Sequence, residues 1–317
     1  MYKNKKVLLI AGGGTLGTYT SNELLRLGTK VDILCPEEKT SSNVNLRFIR
    51  DYATEEVLKD ILAKEHYDGI VNFVHYRSVE DYRPIHKLLI NNTEHLIFIS
   101  TYRVYANEQH PITESAPRLY DVVTDKFFLE NEDYAVPKAK CEDFLTNECE
   151  GEPWTIVRPV ISFSHRRMDL LLYTGNDVIN HAKSGEEMYL PTLVKDYSAG
   201  LDWAGNSGKL IANLLFKKDA LGEKFTVYSG HNLTWGNVAD IYSKITGAKI
   251  KWCSEEEFLE KTPKVRESQA WDWAWYCDRR FNRSIDASKI MRVTGLNPND
   301  FKSIEYGIKE EIRLLNE

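Results

Sequence analysis

The chain has 317 residues, enough to bury a large core in one or two domains, and 42% hydrophobic with 28% charged residues is ordinary for a water-soluble globular protein. Its 41 Lys and Arg are dispersed and outnumbered by 47 Asp and Glu, and the net charge of −6 argues against a nucleic-acid-binding surface. No apolar run approaches the ~18–20 residues that span a bilayer, and five scattered cysteines with no C-x-x-C pair point to neither a zinc site nor a disulfide framework.

Lys3, Lys5 and Lys6 precede an apolar run too short for a signal peptide, so a cytoplasmic location is expected. That run, Val7 to Ala11, leads straight into Gly12, Gly13, Gly14, Thr15, Leu16 and Gly17. It reads as a buried strand, a tight glycine turn and the first turn of a helix, with Gly12, Gly14 and Gly17 in G-x-G-x-x-G spacing. Glycine lets the backbone turn sharply and approach a pyrophosphate, whose charge then rests on unpaired N–H groups at the helix N-terminus. Leu16, Leu24, Leu25 and Leu27 give the helix its apolar side, Gly28 ends it, and residues 31–34 form a second strand. Strand, turn, helix and strand in about thirty residues is a βαβ unit.

The alternation continues. Residues 45–49 read as a strand and 54–64 as a helix capped by Thr54. Residues 69–74 and 95–100 read as strands flanking a helix at 79–90, whose Pro84 is expected to set its start or bend it. A helical stretch at 131–147 and a strand at 154–158 follow. Nearly continuous apolar strands separated by helices imply a parallel sheet covered on both faces. From about 162 to 200 no period is visible; 208–216 then reads as a helix, 224–228 as a strand and 235–246 as a helix. The aromatic run Trp271, Trp273 and Trp275 reads first as a packing plug and second as a ligand platform.

Four features stand in chain order: the glycine turn, Ser100-Thr-Tyr-Arg-Val-Tyr105, Tyr134-Ala-Val-Pro-Lys138 and Val157-Arg-Pro-Val160. In them, and in Pro111-Ile-Thr-Glu114 and Leu233-Thr-Trp235, the chain resembles the extended short-chain dehydrogenase/reductase family of nucleotide-sugar epimerases, dehydratases and reductases. The resemblance covers nearly the whole chain. It implies a doubly wound parallel α/β sheet (a Rossmann domain, 1–165 plus about 197–229) and a smaller C-terminal α/β substrate lobe (about 166–196 and 230–317).

The bare Tyr-x-x-x-Lys pattern occurs twice, at Tyr2/Lys6 and Tyr134/Lys138, and position selects the second, which follows the fifth strand and opens a helix. Residues i and i+4 share a helix face, so both side chains can address one substrate. The resemblance implies that Tyr134 is the acid/base and that Lys138 favours its phenolate and binds the nicotinamide ribose. Thr101 would orient the substrate oxygen, with Ser100 as its alternative. Cofactor contacts are implied for Gly12, Gly14, Thr15, Leu16, Gly17, Asp51, Lys138 and Pro159, and substrate phosphate contacts for Arg279 and Arg283. His165, Arg166 and Arg167 are further candidates, and no resident metal is expected.

Two positions depart from the family pattern. Ala11 replaces its first glycine, an expected tolerable change. Cys35 stands where an acidic residue would meet the adenosine ribose, followed by Glu37, Glu38 and Lys39, so NAD and NADP both stay open. Tyr102 and Arg103 replace the Asp-Glu pair of the dehydratases, which removes the acid and base for elimination. The expected activity is therefore NAD(P)-dependent hydride transfer on a sugar or nucleotide sugar, of epimerase or reductase type. The alternative is a non-catalytic member that senses a nucleotide or binds RNA, though such proteins typically lose the Tyr–Lys pair. Relatives often dimerise through the helix carrying Tyr134, which makes a homodimer one expected assembly.

Overall fold

The computed structural model describes residues 2–262 and 268–315. Seven parallel strands form its central sheet: β1 (Lys6–Ile10), β2 (Lys30–Cys35), β3 (Leu46–Arg50), β4 (Gly69–Asn72), β5 (His95–Ile99), β6 (Trp154–Pro159) and β7 (Glu223–Val227). Their spatial order is 3-2-1-4-5-6-7, a doubly wound α/β sheet whose direction of winding reverses between β1 and β4. Val7 pairs with Val31 on one side and Gly69 on the other. Successive residues of each strand face opposite ways. Val7, Leu9, Val31 and Ile33 therefore pack under α1 (Thr15–Arg26) and α5 (Ala204–Leu214). Leu8, Ile10, Leu34 and Ile70 pack against α2 (Glu55–Lys64), α3 (Val79–Ile90) and α4 (Ala135–Glu148). Burial on both faces is why the inner strands read as unbroken apolar runs.

The rest of the chain builds short pairs beside this sheet: Ile161–Phe163 with Leu201–Trp203, Glu187–Pro191 with Lys249–Cys253, and an antiparallel pair, Asp169–Leu170 with Tyr173–Thr174. Helices Gly175–Ser184, Trp235–Thr246 and Ile304–Leu315 close over a further core containing Trp235, Tyr242 and Trp275. The stretch 162–200 is thus regular after all. Its strands are two to five residues long, below the length at which a period becomes visible.

Several elements differ from expectation for local reasons. The helix read at 131–147 is α4, which starts only at Ala135, and a separate short helix, Lys126–Asn131, precedes it. The helix read at 208–216 runs over Ala204–Leu214, because Leu215 is extended and Phe216 left-handed at φ +66°. Pro84 does not set the start of α3, which begins five residues earlier under a Ser78 cap. Thr54 caps α2 by accepting the N–H of Val57 at 3.3 Å. All five cysteines are free, and no helix among the described residues is long and apolar enough to cross a membrane.

Candidate active site

The glycine turn sits at the C-terminal end of β1. A Cβ on Gly17 would lie 2.2 Å from the Gly12 carbonyl oxygen, and one on Gly12 would lie 2.6 Å from Leu9 Cβ. These two glycines let helix and strand touch. Gly14 is different: no heavy atom lies within 4 Å of its Cβ position. It is also the N-cap of α1, and no side chain caps that helix. Open space in front of free helix-terminal N–H groups fits a pyrophosphate. Ala11, expected to be a mild replacement, has φ +55°, a left-handed conformation that glycine adopts without strain.

A cavity of 260 Å³ opens on this turn. Gly14, Thr15, Leu16 and Gly17 line it on one side, Thr101, Tyr134 and Pro159 on the others. Gly12 lies beneath the turn. Thr101 is 4% exposed and accepts the N–H of Arg103 at 3.2 Å, which leaves its hydroxyl hydrogen for another acceptor. Tyr134 is half-buried at the N-cap of α4. The Glu132 carboxylate accepts the N–H groups of Tyr134 and Val136 at 3.2 and 2.8 Å, so it caps the helix and fixes where Tyr134 enters it.

Lys138, one turn along, does not line the cavity. It is 3% exposed, and its ammonium donates to the carbonyl oxygens of Ile99 at 2.6 Å and Val74 at 3.1 Å, keeping one further N–H. Burial lowers its pKa to about 8. The site thus brings a phenol and a hydroxyl into one cavity before a helix N-terminus, with a buried ammonium behind its wall at Ile99, a set able to move a proton to or from a carbinol oxygen.

A second cavity, of 390 Å³, meets the first at Arg103 and Arg167, which line both. Arg279 and Trp271 stand on its wall. Arg279 is held there by the Asp278 carboxylate, by Asp169 at 3.2 Å and by the Leu171 carbonyl at 3.1 Å, so few of its donors are free. Arg283 does not reach either cavity: it is 1% exposed, stacks on Tyr102 and donates to the Tyr105 carbonyl at 3.0 Å. Burial alone would raise the Asp278 carboxyl, but Arg279, Arg283 and Arg103 together hold it below the usual range. Tyr102 donates to the same carboxylate at 2.5 Å. The three tryptophans divide: Trp275 is fully buried, Trp273 packs on Phe128, and Trp271 faces the cavity.

A third cavity, of 360 Å³, is largely apolar and shares Ala11 with the first. Cys35, Pro36 and Asp51 stand on its rim. Sequence reasoning missed two devices, both made by contacts distant in the chain. Arg103 lies 3.7 Å from Glu132 and 3.6 Å from Asp278, with its guanidinium 5.1 Å from the Tyr134 ring centre, and so joins the two cavities. Buried Glu311 accepts His165 N at 2.6 Å, His165 Nδ1 at 2.9 Å and Trp203 Nε1 at 2.6 Å, which pins the loop that presents Arg166 and Arg167. No motif marks either one.

No family model matches the chain, and no curated protein matches it in sequence. Solved structures match it throughout. An epimerase from Methanothermobacter thermautotrophicus is 15% identical with a TM-score of 0.71, over 99% of this chain and 93% of that one. The UDP-glucose 4-epimerase of Thermotoga maritima, solved with UDP-glucose, is 17% identical with a TM-score of 0.69, over 98% and 100% of the two chains. That of Thermus thermophilus, solved with NAD, is 17% identical with a TM-score of 0.66, over 98% and 99%. At such identities the likeness is one of fold: across its length the chain is folded as these epimerases are.

Proposed function

We propose that the protein transfers a hydride between a nicotinamide dinucleotide and a carbinol or keto carbon of a sugar or nucleotide sugar. The observation that carries this reading is a single cavity bounded by the uncapped glycine turn, Thr101 and Tyr134. Gly14, Thr15, Leu16 and Gly17 bind the pyrophosphate through backbone N–H groups, and Asp51 borders the slot that suits an adenine. Pro159 stands on the cavity wall beside the nicotinamide end. The bound nicotinamide supplies or accepts the hydride.

Tyr134 takes the hydroxyl proton as the carbon is oxidised and returns it on reduction. Thr101 donates to the same substrate oxygen and holds it within reach. Lys138, held behind the cavity wall by the Ile99 and Val74 carbonyls, places positive charge under the site, which favours the phenolate. The larger cavity takes the body of the substrate, with Arg279, Arg103 and Arg167 offering cationic donors. Arg283 acts through Asp278 rather than on the substrate.

The test has two parts. Protein denatured straight after purification is assayed for released dinucleotide: near-stoichiometric release supports an epimerase that recycles its cofactor, and little release a reductase that exchanges it. Tyr134→Phe is expected to abolish turnover while leaving dinucleotide affinity within about twofold. Full activity in that variant would refute the proposal.

A further inference from the structure

We propose that the substrate carries an oxyanion, a carboxylate or a phosphate monoester, beside the carbon that reacts, and that Arg103 binds it; this rests on the hydride-transfer reading above. Arg103 stands where the two cavities meet, with its guanidinium 5.1 Å from the Tyr134 ring centre. Its neighbours do not use it up. Nη2 lies 3.7 Å from Glu132 and Nε 3.6 Å from Asp278, both beyond hydrogen-bond length. The buried Nε has no hydrogen-bond partner among the described residues. A guanidinium only 20% exposed, with N–H groups left unbonded, is costly unless a ligand completes its bonding.

The carboxylates nearby are satisfied without it. Glu132 accepts two backbone N–H groups at the start of α4, and Asp278 accepts from Tyr102, Arg279 and Arg283. The other arginines of the cavities are committed. Arg166 donates to the Gly13 carbonyl at 2.7 Å, Arg167 pairs with Asp169 at 3.3 Å, and Arg279 is bound to Asp169, Asp278 and Leu171. Among the described residues no Asp or Glu lines the 260 Å³ cavity. Arg103 is therefore the cation left for a ligand. A carboxylate or phosphate accepts two parallel N–H bonds from its fork, where an uncharged sugar offers only hydroxyls. Position then fixes where the anion sits on the substrate. Thr101 and Tyr134 hold the reacting oxygen in the smaller cavity, which Arg103 lines and Arg279 does not. An anion on Arg103 thus lies beside the reacting carbon, apart from any diphosphate at the far end of a nucleotide sugar.

The experiment saturates the purified protein with dinucleotide and measures the affinity of matched sugars by titration calorimetry. UDP-glucose is compared with UDP-glucuronate, which has a carboxylate in place of the hydroxymethyl group, and glucose with glucose 6-phosphate. The wild type is expected to bind an anionic member at least about tenfold more tightly than its neutral counterpart, and the pair in which it does so tells carboxylate from phosphate. In Arg103→Gln that preference should shrink to within about threefold, while the neutral sugar's affinity changes by less than about threefold. An unchanged thermal melt checks the fold. Arg103→Lys, which keeps the charge without the fork, should fall between the two, and it decides the matter if Arg103→Gln does not fold.

Equal or weaker binding of both anionic sugars by the wild type would overturn the inference. A preference undiminished in the variants would also overturn it, and would give the anion to Arg167 or Arg279. Dinucleotide binding is measured first and on its own. A protein that binds the dinucleotide without preferring an anionic sugar loses this inference alone. One that binds neither NADH nor NADPH loses the hydride-transfer reading, and this inference with it.

Discussion

Replacing Lys138 with methionine measures what it costs to keep a charge beneath the cleft. The side chain is 3% exposed, and burial lowers its pKa to about 8, with Glu142 one turn along α4 acting the other way. In the unfolded chain the same group titrates near ~10.4. Between those values the folded protein has released the proton while the unfolded chain still holds it. The unfolded state then binds more protons, and the free energy of unfolding rises with pH. Below pH 8 the full penalty is present, and the gap between about 8 and ~10.4 corresponds to about 3 kcal/mol.

Lys138→Met removes that term and keeps most of the volume. Losing the hydrogen bonds to Val74 and Ile99 shifts its stability alike at every pH, so the slope carries the test. Urea unfolding followed by tryptophan fluorescence at pH 7, 8, 9 and 10.5 gives the difference between variant and wild type. Relative to the wild type, the variant should be about 3 kcal/mol more stable at pH 7 than at pH 10.5. A difference that does not change with pH would refute the reasoning. Near pH 7 an amine titrating at about 8 remains about nine-tenths protonated, so turnover that needs the ammonium should decline as pH passes 8.

Two further outcomes follow from the same framework. Ala11→Gly should raise stability by roughly 0.5–1 kcal/mol in urea unfolding, because φ +55° costs alanine more than the extra chain freedom costs glycine; an unchanged or lowered stability would show that Ala11 is unstrained. Arg158→Met should destabilise by about 3–5 kcal/mol. Arg158 and Glu142 are 1% and 0% exposed, joined by two hydrogen bonds of 2.9 and 2.6 Å, and truncation leaves Glu142 buried with Arg118 at 3.4 Å as its remaining cationic donor. A loss below about 1 kcal/mol in the same assay would contradict that account.

Much of this was written locally. The glycine turn, the succession of apolar strands and periodic helices, and the i, i+4 placement of Tyr134 and Lys138 each depend on residues close in sequence, so the amino-acid order alone determines them. The steric demand at Gly12 and Gly17 is of this kind, since the strand and helix they bring together are chain neighbours. Other features are decided only when distant segments meet. The short strands at 161–191 have too few residues to show a period and gain their order from partners such as Leu201–Trp203 and Lys249–Cys253. Arg279 and Arg283, alike in the sequence, part company because one faces a cavity and the other is buried against Tyr102 and Tyr105. Arg103 acquires its place between the cavities from Glu132 and Asp278. Backbone conformation and periodicity are set by neighbours along the chain, whereas burial, charge pairing and the shape of a cavity belong to whichever residues the tertiary fold brings together.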